Sequence, residues 1–257
     1  MNQETIRKLT EMKMGGMADI YQQQSQNREY QKMDFDDRFQ LLVDHEYDRR
    51  RSNKLERLIK QATLNEPAAA IEDIEYNPDR KLNKQLILEL ATGNYIQRHH
   101  NIILMGASRN GKTWIANAFG VQACRQFYNV KYIRLPELLD ELTVAKFEAD
   151  GSFRKLIQKY RKVDVLILDE WLLSKLPEEH VMLILEIIES RLKSPLKWLF
   201  PNAILKYIKK PTDYYFCNNL GSVNRAVHFT SEFRQIKIHL INFWGNDLKI
   251  QAMSSCI

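Results

Sequence analysis

Hydrophobic residues in the first part of the chain recur at the spacing of an amphipathic helix. The segment is rich in Gln, Arg and Asp, and its periodic apolar positions are Phe35, Phe39, Leu42, Leu55, Leu58 and Ile59. Residues at this spacing share one side of a helix. Two glycines within 14–17 interrupt the pattern near its start, and Asn65-Glu66-Pro67 ends it. The pattern predicts a small all-α domain over residues 1–66.

Short apolar runs alternate with helical patterns in the next part of the chain. The predicted strands cover residues 101–105, 130–135 and 163–168. The predicted helices cover residues 81–92, 112–127, 136–146, 152–160 and 177–193. Strands that are apolar throughout are typical of parallel sheets covered by helices on both faces. We therefore expect an α/β parallel-sheet core over residues 67–194.

The alternation stops after Lys193. Residues 195–257 contain Pro195, Pro201 and Pro211, scattered aromatic residues and no sustained period. An α/β core of this kind needs at least one more strand and helix. We treat residues 195–257 as an atypical C-terminal segment, and the pattern leaves open whether it is folded or disordered.

Charge and cysteine content add little to this division. The net charge is +6, but Lys and Arg outnumber Asp and Glu by eight to three in residues 195–257, so the excess lies almost entirely there. The cysteines, Cys124, Cys217 and Cys256, are widely spaced, which argues against a zinc site or a disulfide framework. The sequence has neither a signal peptide nor an apolar run of membrane-spanning length. We expect a cytoplasmic protein that does not bind membranes.

The strongest chemical signal is a phosphate-binding loop between the first predicted strand and the following helix. Its residues are Gly106, Ala107, Ser108, Arg109, Asn110, Gly111, Lys112 and Thr113. Glycines let backbone N–H groups approach a phosphate chain, the helix N-terminus favours anions, and Lys112 adds a positive charge. Thr113 offers a hydroxyl to Mg²⁺. The motif predicts nucleotide binding.

Arg109 is unusual within this loop, because glycine is common at its position. A side chain there opposes a positive φ angle. Two alternatives remain: Arg109 slows catalysis, or it points to solvent from a tolerated conformation.

A second motif ends the third predicted strand. The apolar run from Val163 finishes in Asp169 and Glu170. Paired with a phosphate loop, such a strand is typical of a Walker B element, in which Asp169 holds Mg²⁺ and Glu170 activates water. Lys112 and Glu170 are the candidate catalytic residues, and the two motifs together indicate ATP hydrolysis with ATP and Mg²⁺ as ligands.

Arg50, Lys54 and Arg57 lie at i, i+4 and i+7 of the predicted N-terminal helical segment. They form a basic stripe that could contact DNA phosphates. A solvated charged face explains the same spacing.

These residues resemble the IstB-like ATPases, which assist the transposition of bacterial insertion sequences. The resemblance runs from about Ile6 to Lys193. It is carried by the segments 13–18, 35–38, 70–74, 93–96, 104–114, 131–139, 166–171 and 185–191.

The resemblance implies an AAA+ P-loop ATPase with an N-terminal helical domain. It also implies homo-oligomers on double-stranded DNA, a cognate transposase as partner, and nucleotide control of assembly through Lys112, Thr113, Asp169 and Glu170. Homo-oligomerisation is doubtful for this chain, because family members draw a shared-site arginine from a region that follows Lys193.

The chain departs from the family at that point. Members continue with a strand ending in Ser-Gln, whereas this chain reads Trp-Leu-Phe-Pro-Asn-Ala-Ile over 198–204. Codons for residues 200–204 read in another frame can encode Ser-Gln, a variable residue and Asp. A frameshift would explain the change, and translating the other two frames beyond Lys193 tests it.

Two other functions fit the sequence less closely. One is a helicase loader of the DnaC type, which the N-terminal resemblance disfavours. The other is a non-hydrolysing DNA-binding remnant, which Arg109 and the C-terminal segment favour.

Overall fold

A computed structural model describes residues 3–77, 82–98, 100–105, 109–148, 150–170, 176–192, 197–201, 205–207, 214–216 and 238–242. The chain divides into two compact units, Met1–Arg57 and Leu58–Ile257. The predicted domain boundaries at 66 and 194 stay predictions.

The first unit is helical, as the apolar spacing predicts. Its elements are α1 (Gln3–Glu11), α2 (Gly15–Gln26), a 3₁₀ turn (Tyr30–Lys32) and α3 (Phe35–Ala62), which ends in the second unit. Asp34 caps the N-terminus of α3, because its Oδ1 accepts a hydrogen bond of 2.9 Å from the Asp37 backbone N–H. The Gly16 N–H donates to Oε2 of the buried Glu46 at 2.8 Å. A Cβ at Gly16 would lie 2.8 Å from the same oxygen, so this contact requires glycine.

The second unit alternates strands and helices. Its helices are α4 (Lys84–Ala91), α5 (Asn94–Gln97), α6 (Lys112–Arg125), α7 (Leu135–Phe147), α8 (Ser152–Lys162) and α9 (Glu178–Leu192). Its strands are β1 (Asn101–Met105), β2 (Val130–Arg134), β3 (Val165–Asp169), β4 (Lys197–Pro201), β5 (Leu205–Tyr207), β6 (Tyr214–Phe216) and β7 (Ile238–Asn242). The predicted strands and helices before Lys193 are confirmed, with ends that differ by a few residues.

Five of these strands form a parallel sheet in the order β2-β3-β4-β1-β7. All five residues of β3 are buried, as expected of an apolar strand with neighbours on both sides. The apolar faces of α7, α8 and α9 pack together in a core cluster that includes Leu138, Tyr160 and Leu183. The α/β parallel-sheet class is confirmed.

The C-terminal segment completes this sheet. β4 pairs with β3 and with β1, so it fills the space between two strands that the sequence predicted, and β7 pairs with the other side of β1. A separate antiparallel pair joins β5 to β6. The sequence correctly required a further strand but did not locate it, because β4 is short, ends in Pro201 and has no amphipathic period. Residues 202–204, where the frameshift hypothesis continues, lie outside the described residues.

Gly93 and Gly151 form a matched pair for measuring a close contact. Both have left-handed backbones, with φ of 82° and 83°. A Cβ at Gly93 would lie 2.0 Å from Oε1 of Gln126, whose Nε2 donates to the Ala91 carbonyl, whereas a Cβ at Gly151 would meet nothing within 4 Å.

Gly151→Ala should therefore lower the free energy of unfolding by the backbone cost alone, about 1 kcal/mol. Gly93→Ala should lower it by about 2–3 kcal/mol, because Gln126 must also move and lose its hydrogen bond. Urea unfolding of both variants measures the difference. Equal losses would contradict the close contact.

Candidate nucleotide site

The phosphate loop joins the end of β1 to the start of α6, as the motif predicts. Gly111 precedes the helix with φ of 76°, and Lys112 begins it. The backbone N–H groups of a first helical turn point outward without helical partners, which suits an anion. Gly106, Ala107 and Ser108, which complete the predicted loop, lie outside the described residues.

Arg109 adopts the left-handed conformation that glycine prefers, with φ of 65°, and its side chain is exposed. This geometry agrees with the alternative in which the arginine points to solvent from a tolerated conformation. It leaves open whether Arg109 slows catalysis. A non-glycine residue in this region carries a backbone cost of about 1–2 kcal/mol.

Lys112 is only 4% exposed. Burial lowers the pKa of its ammonium group, and the nearby charge of Asp169 partly opposes that change. A buried cation costs free energy that a bound anion can recover. Lys112 is therefore placed to gain stabilisation from a phosphate group.

The Asp169 carboxylate is the centre of the site. It is 3% exposed, and its Oδ2 accepts hydrogen bonds from the Thr113 hydroxyl at 2.8 Å and from the Tyr132 hydroxyl at 2.9 Å. Its Oδ1 accepts from the Glu170 backbone N–H at 2.7 Å. The structure thus brings together the two predicted metal ligands, Thr113 and Asp169, from α6 and β3.

Hydroxyl and carboxylate oxygens are ligands that suit Mg²⁺. Mg²⁺ usually takes one or two protein oxygens together with substrate phosphates and water, so this pair fits the ion. Among the described residues, no group of three or more His, Cys, Asp and Glu side chains could hold a metal ion without a nucleotide.

Tyr132 and Arg134 are site residues that the sequence interpretation missed. Both belong to β2, two residues apart, so they share one face of the strand. Arg134 pairs in register with Asp169 across the parallel ladder. Burial raises the pKa of the Tyr132 hydroxyl, and contact with the Asp169 carboxylate raises that pKa further. The available signal was their position near the carboxyl end of a strand predicted to neighbour β3.

Glu170 follows β3 in a left-handed conformation, with φ of 55°. Its Oε2 accepts a hydrogen bond of 2.7 Å from Nη2 of Arg134. The pair is partly open to solvent, with side chains that are 30% and 47% exposed. The hydrogen bond to Glu170 raises the pKa of Arg134, and Arg134 also contacts Glu137 at 3.3 Å. The candidate water-activating carboxylate is thus held by an arginine.

The basic stripe of α3 is exposed, but part of it has internal partners. Arg50 donates from Nε to Glu46 Oε1 at 2.6 Å and from Nη2 to the Lys13 carbonyl at 3.1 Å. Burial works to raise the pKa of Glu46, but hydrogen bonds from Arg50 and Arg49 outweigh it and the pKa is lowered. Lys54 and Arg57 are exposed on the same helix. DNA binding by this stripe stays a prediction.

Two further expectations concern cysteine and membranes. Cys124 is a buried free thiol, and burial raises its pKa to about 12, which agrees with a structural thiol. Cys217 and Cys256 lie outside the described residues. Among the described helices, none combines the length and the apolar character that a membrane crossing requires.

The loop between β1 and α6, the order of the parallel sheet and the pairing of Thr113 with Asp169 are those of a P-loop nucleotide-binding protein. The chain belongs to the family of IstB-like ATP binding proteins, whose sequence model matches residues 7–196. The predicted resemblance is thereby confirmed, and the match ends close to Lys193, where the sequence departs from the family pattern.

Individual relatives carry names that refer to insertion sequences. One from Pseudomonas fluorescens, named as an ATP-binding protein of insertion sequence IS1162, is 42% identical over 191 residues, covering 74% of this chain and 82% of its own. The insertion sequence ATP-binding protein y4pL of Sinorhizobium fredii is 34% identical over 187 residues, covering 73% of this chain and 75% of its own.

Solved structures are less similar. DnaA from Aquifex aeolicus bound to AMPPCP aligns with a TM-score of 0.47 and 20% identity, over 54% of this chain and 42% of that chain. The DnaC helicase loader aligns with a TM-score of 0.45 and 17% identity, over 55% of this chain and 80% of that chain.

Arg109→Gly should raise the free energy of unfolding by about 0.5–1 kcal/mol. Glycine removes the cost of the left-handed backbone, but its greater conformational freedom in the unfolded chain cancels part of that gain. Chemical denaturation measures the change. Arg109→Ala is the matched control and should give no gain, since alanine keeps the Cβ. A destabilising Arg109→Gly would show that the arginine side chain holds the loop.

Proposed function

We propose that this protein hydrolyses ATP and acts on double-stranded DNA to assist a cognate transposase in insertion-sequence transposition. The observation that carries the enzymatic part is the contact between Thr113 and Asp169 beside the buried Lys112. Membership of the family and the names of its relatives support the transposition part. We expect it to act in the cytoplasm, where DNA and ATP are both present.

In this proposal Lys112 and the loop amides of Gly106, Ala107, Ser108, Arg109, Asn110 and Gly111 bind the phosphates. Thr113 and Asp169 hold Mg²⁺, which when bound neutralises charge on the transferred phosphoryl group. Glu170 orients the attacking water and accepts its proton. The Glu170 backbone N–H fixes Asp169, so the two acidic residues keep separate roles.

Arg134 restrains Glu170 in this scheme. A carboxylate that accepts a hydrogen bond from an arginine is a poorer acceptor for the proton of water, so Glu170 works best when the contact of its Oε2 with Arg134 loosens. The partial exposure of the pair keeps the cost of loosening small, about 1 kcal/mol or less.

The family match that ends at residue 196 favours a second candidate, the non-hydrolysing DNA-binding remnant. In family members the segment that corresponds to the residues after Lys193 supplies a sensor and the shared-site arginine. Because this chain has a different sequence there, we expect oligomer formation to be weakened more than nucleotide binding. Both candidates bind nucleotide, so turnover separates them.

Lys112→Ala should abolish ATP binding, because the cation that faces the phosphates is lost. ATP at about 100 times its Kd should stabilise the wild type by about 2.7 kcal/mol and the variant hardly at all. Thermal unfolding with and without MgATP measures this difference. Equal stabilisation of both proteins would contradict the site.

Glu170→Gln should retain ATP stabilisation and lower kcat by about 10²–10⁴-fold, since an amide cannot accept the proton of water. Phosphate release, with and without duplex DNA, measures turnover. Wild-type release no faster than that of Lys112→Ala would leave the remnant as the function.

Arg134→Ala should raise basal kcat, because Glu170 is released, while the free energy of unfolding changes by less than about 1 kcal/mol. Arg134→Lys keeps a cation near the carboxylate and should stay close to the wild-type rate. A fall in kcat for Arg134→Ala would show that the arginine assists Glu170 instead of restraining it.

A further inference from the structure

Helix α8 carries an unusual concentration of positive charge. Its eleven residues contain no Asp or Glu, and its basic residues are Arg154, Lys155, Lys159, Arg161 and Lys162. All five are exposed. Neither the nucleotide site nor the α3 stripe uses them, so the charge of α8 calls for an explanation of its own.

The helix is fixed with this charged face outward. Ile157 and Tyr160 are buried in the core, and the Tyr160 hydroxyl donates to Glu141 Oε2 at 2.6 Å. Lys155, Lys159 and Lys162 follow one another at i, i+4 and i+7, which places them along one side of the helix. At 1.5 Å per residue this row is about 10 Å long.

The row continues into a cleft at the start of β2. Lys131, Lys159 and Lys162 line this cleft of about 280 Å³, together with Leu58, Gln61, Asn129, Val130 and Val163. Burial lowers the pKa of Lys131, and the positive charge of Lys159 lowers it further while Glu141 opposes both effects. Like charges that lower a neighbour's pKa repel each other, and an anion between them would relieve that repulsion.

Few carboxylates offset this charge within the described residues. Glu141 lies 4.0 Å from Lys159, and Asp164 uses its Oδ2 to accept from the Asn129 backbone N–H. Hydrogen bonds from Ser152 lower the pKa of Asp150, and the positive charge of Lys155 adds a smaller effect, so Asp150 offsets part of the charge at the start of α8. Arg154, Arg161 and Lys162 form no ion pair with a described carboxylate. The surface therefore remains strongly positive.

The part of the basic surface formed by Lys131 and Lys162 lies at the opposite side of the sheet from Asp169. Lys131 is near the amino end of β2 and Lys162 precedes the amino end of β3, whereas Asp169 is at the carboxyl end of β3. Because β2 and β3 are parallel, their amino ends lie at the same side of the sheet. Substitutions on α8 should consequently leave nucleotide binding intact.

We infer that the basic face of α8, extended by Lys131, binds the phosphate backbone of double-stranded DNA. The inference rests on the proposed function, for which it names the DNA-contacting surface. The row spans several phosphates, which are spaced 3.4 Å along the axis of each strand. Aromatic side chains commonly anchor protein interfaces, and this face offers exposed cations and no exposed aromatic side chain. Phosphates match it better than an acidic protein does.

The test uses the full chain with MgATP and a fluorescent duplex of random sequence, titrated between about 50 and 200 mM salt. The variant is Lys155→Gln with Lys159→Gln and Lys162→Gln. A matched control removes the same charge from exposed lysines elsewhere, through Lys8→Gln, Lys32→Gln and Lys84→Gln. ATP-dependent thermal stabilisation checks that each protein is folded and binds nucleotide.

We expect the α8 variant to bind DNA about tenfold or more weakly, with the slope of log affinity against log salt reduced by up to about 2.7, or about 0.9 per lost phosphate contact. The control should bind like the wild type, and the Lys→Arg triple variant should restore binding. If the triple Gln variant fails to fold, Lys155→Gln alone should reduce the slope by about 0.9.

An α8 variant that binds DNA as tightly as its charge-matched control would overturn the inference and leave the face to an acidic protein surface or to solvent. A wild type that binds no duplex at any salt concentration would overturn the DNA role itself, and the inference with it. The two failures are distinguishable, because only in the second does the wild type fail to bind duplex DNA.

Discussion

The hydrogen bonds accepted by the buried Asp169 carboxylate hold the other residues of the candidate site in place. This carboxylate joins three parts of the core, because it accepts hydrogen bonds from Thr113 on α6, from Tyr132 on β2 and from the backbone of Glu170. A carboxylate that is 3% exposed would be costly without such partners. The hydrogen bonds that stabilise the Asp169 charge therefore also fix α6 against the sheet and orient Glu170.

Two non-glycine residues of the candidate site have left-handed backbones, as do Lys13, Thr63 and Phe127 elsewhere in the described chain. Arg109, Gly111 and Glu170 all have positive φ angles, and two of the three are not glycines. Strained residues persist where the surroundings hold them, and they often mark functional sites. Here the hydrogen bond from the Glu170 N–H to Asp169 and the ion pair with Arg134 hold one of them. The catalytic candidates thus lie at the carboxyl ends of the strands, while Lys131 and Lys162 lie at the amino ends of β2 and β3.

The C-terminal segment links fold and family. The sequence resemblance ends near Lys193, yet β4 lies between β3 and β1 and completes the ladder that positions Asp169. The ladder hydrogen bonds of β4 come from backbone N–H and C=O groups, so a segment of divergent sequence can occupy this strand position, with its proline at the end of the strand.

Local patterns in the sequence were enough to predict the phosphate loop, the acidic end of β3 and the alternation of strands and helices before Lys193. These features are local, since each depends on spacing within a single element. Three further features are visible only in the folded chain: β4 and β7 extend the sheet, Tyr132 and Arg134 reach Asp169 and Glu170, and Arg50 donates to the Lys13 carbonyl. These depend on strand order, register and contacts between residues far apart in the chain, which no local pattern encodes.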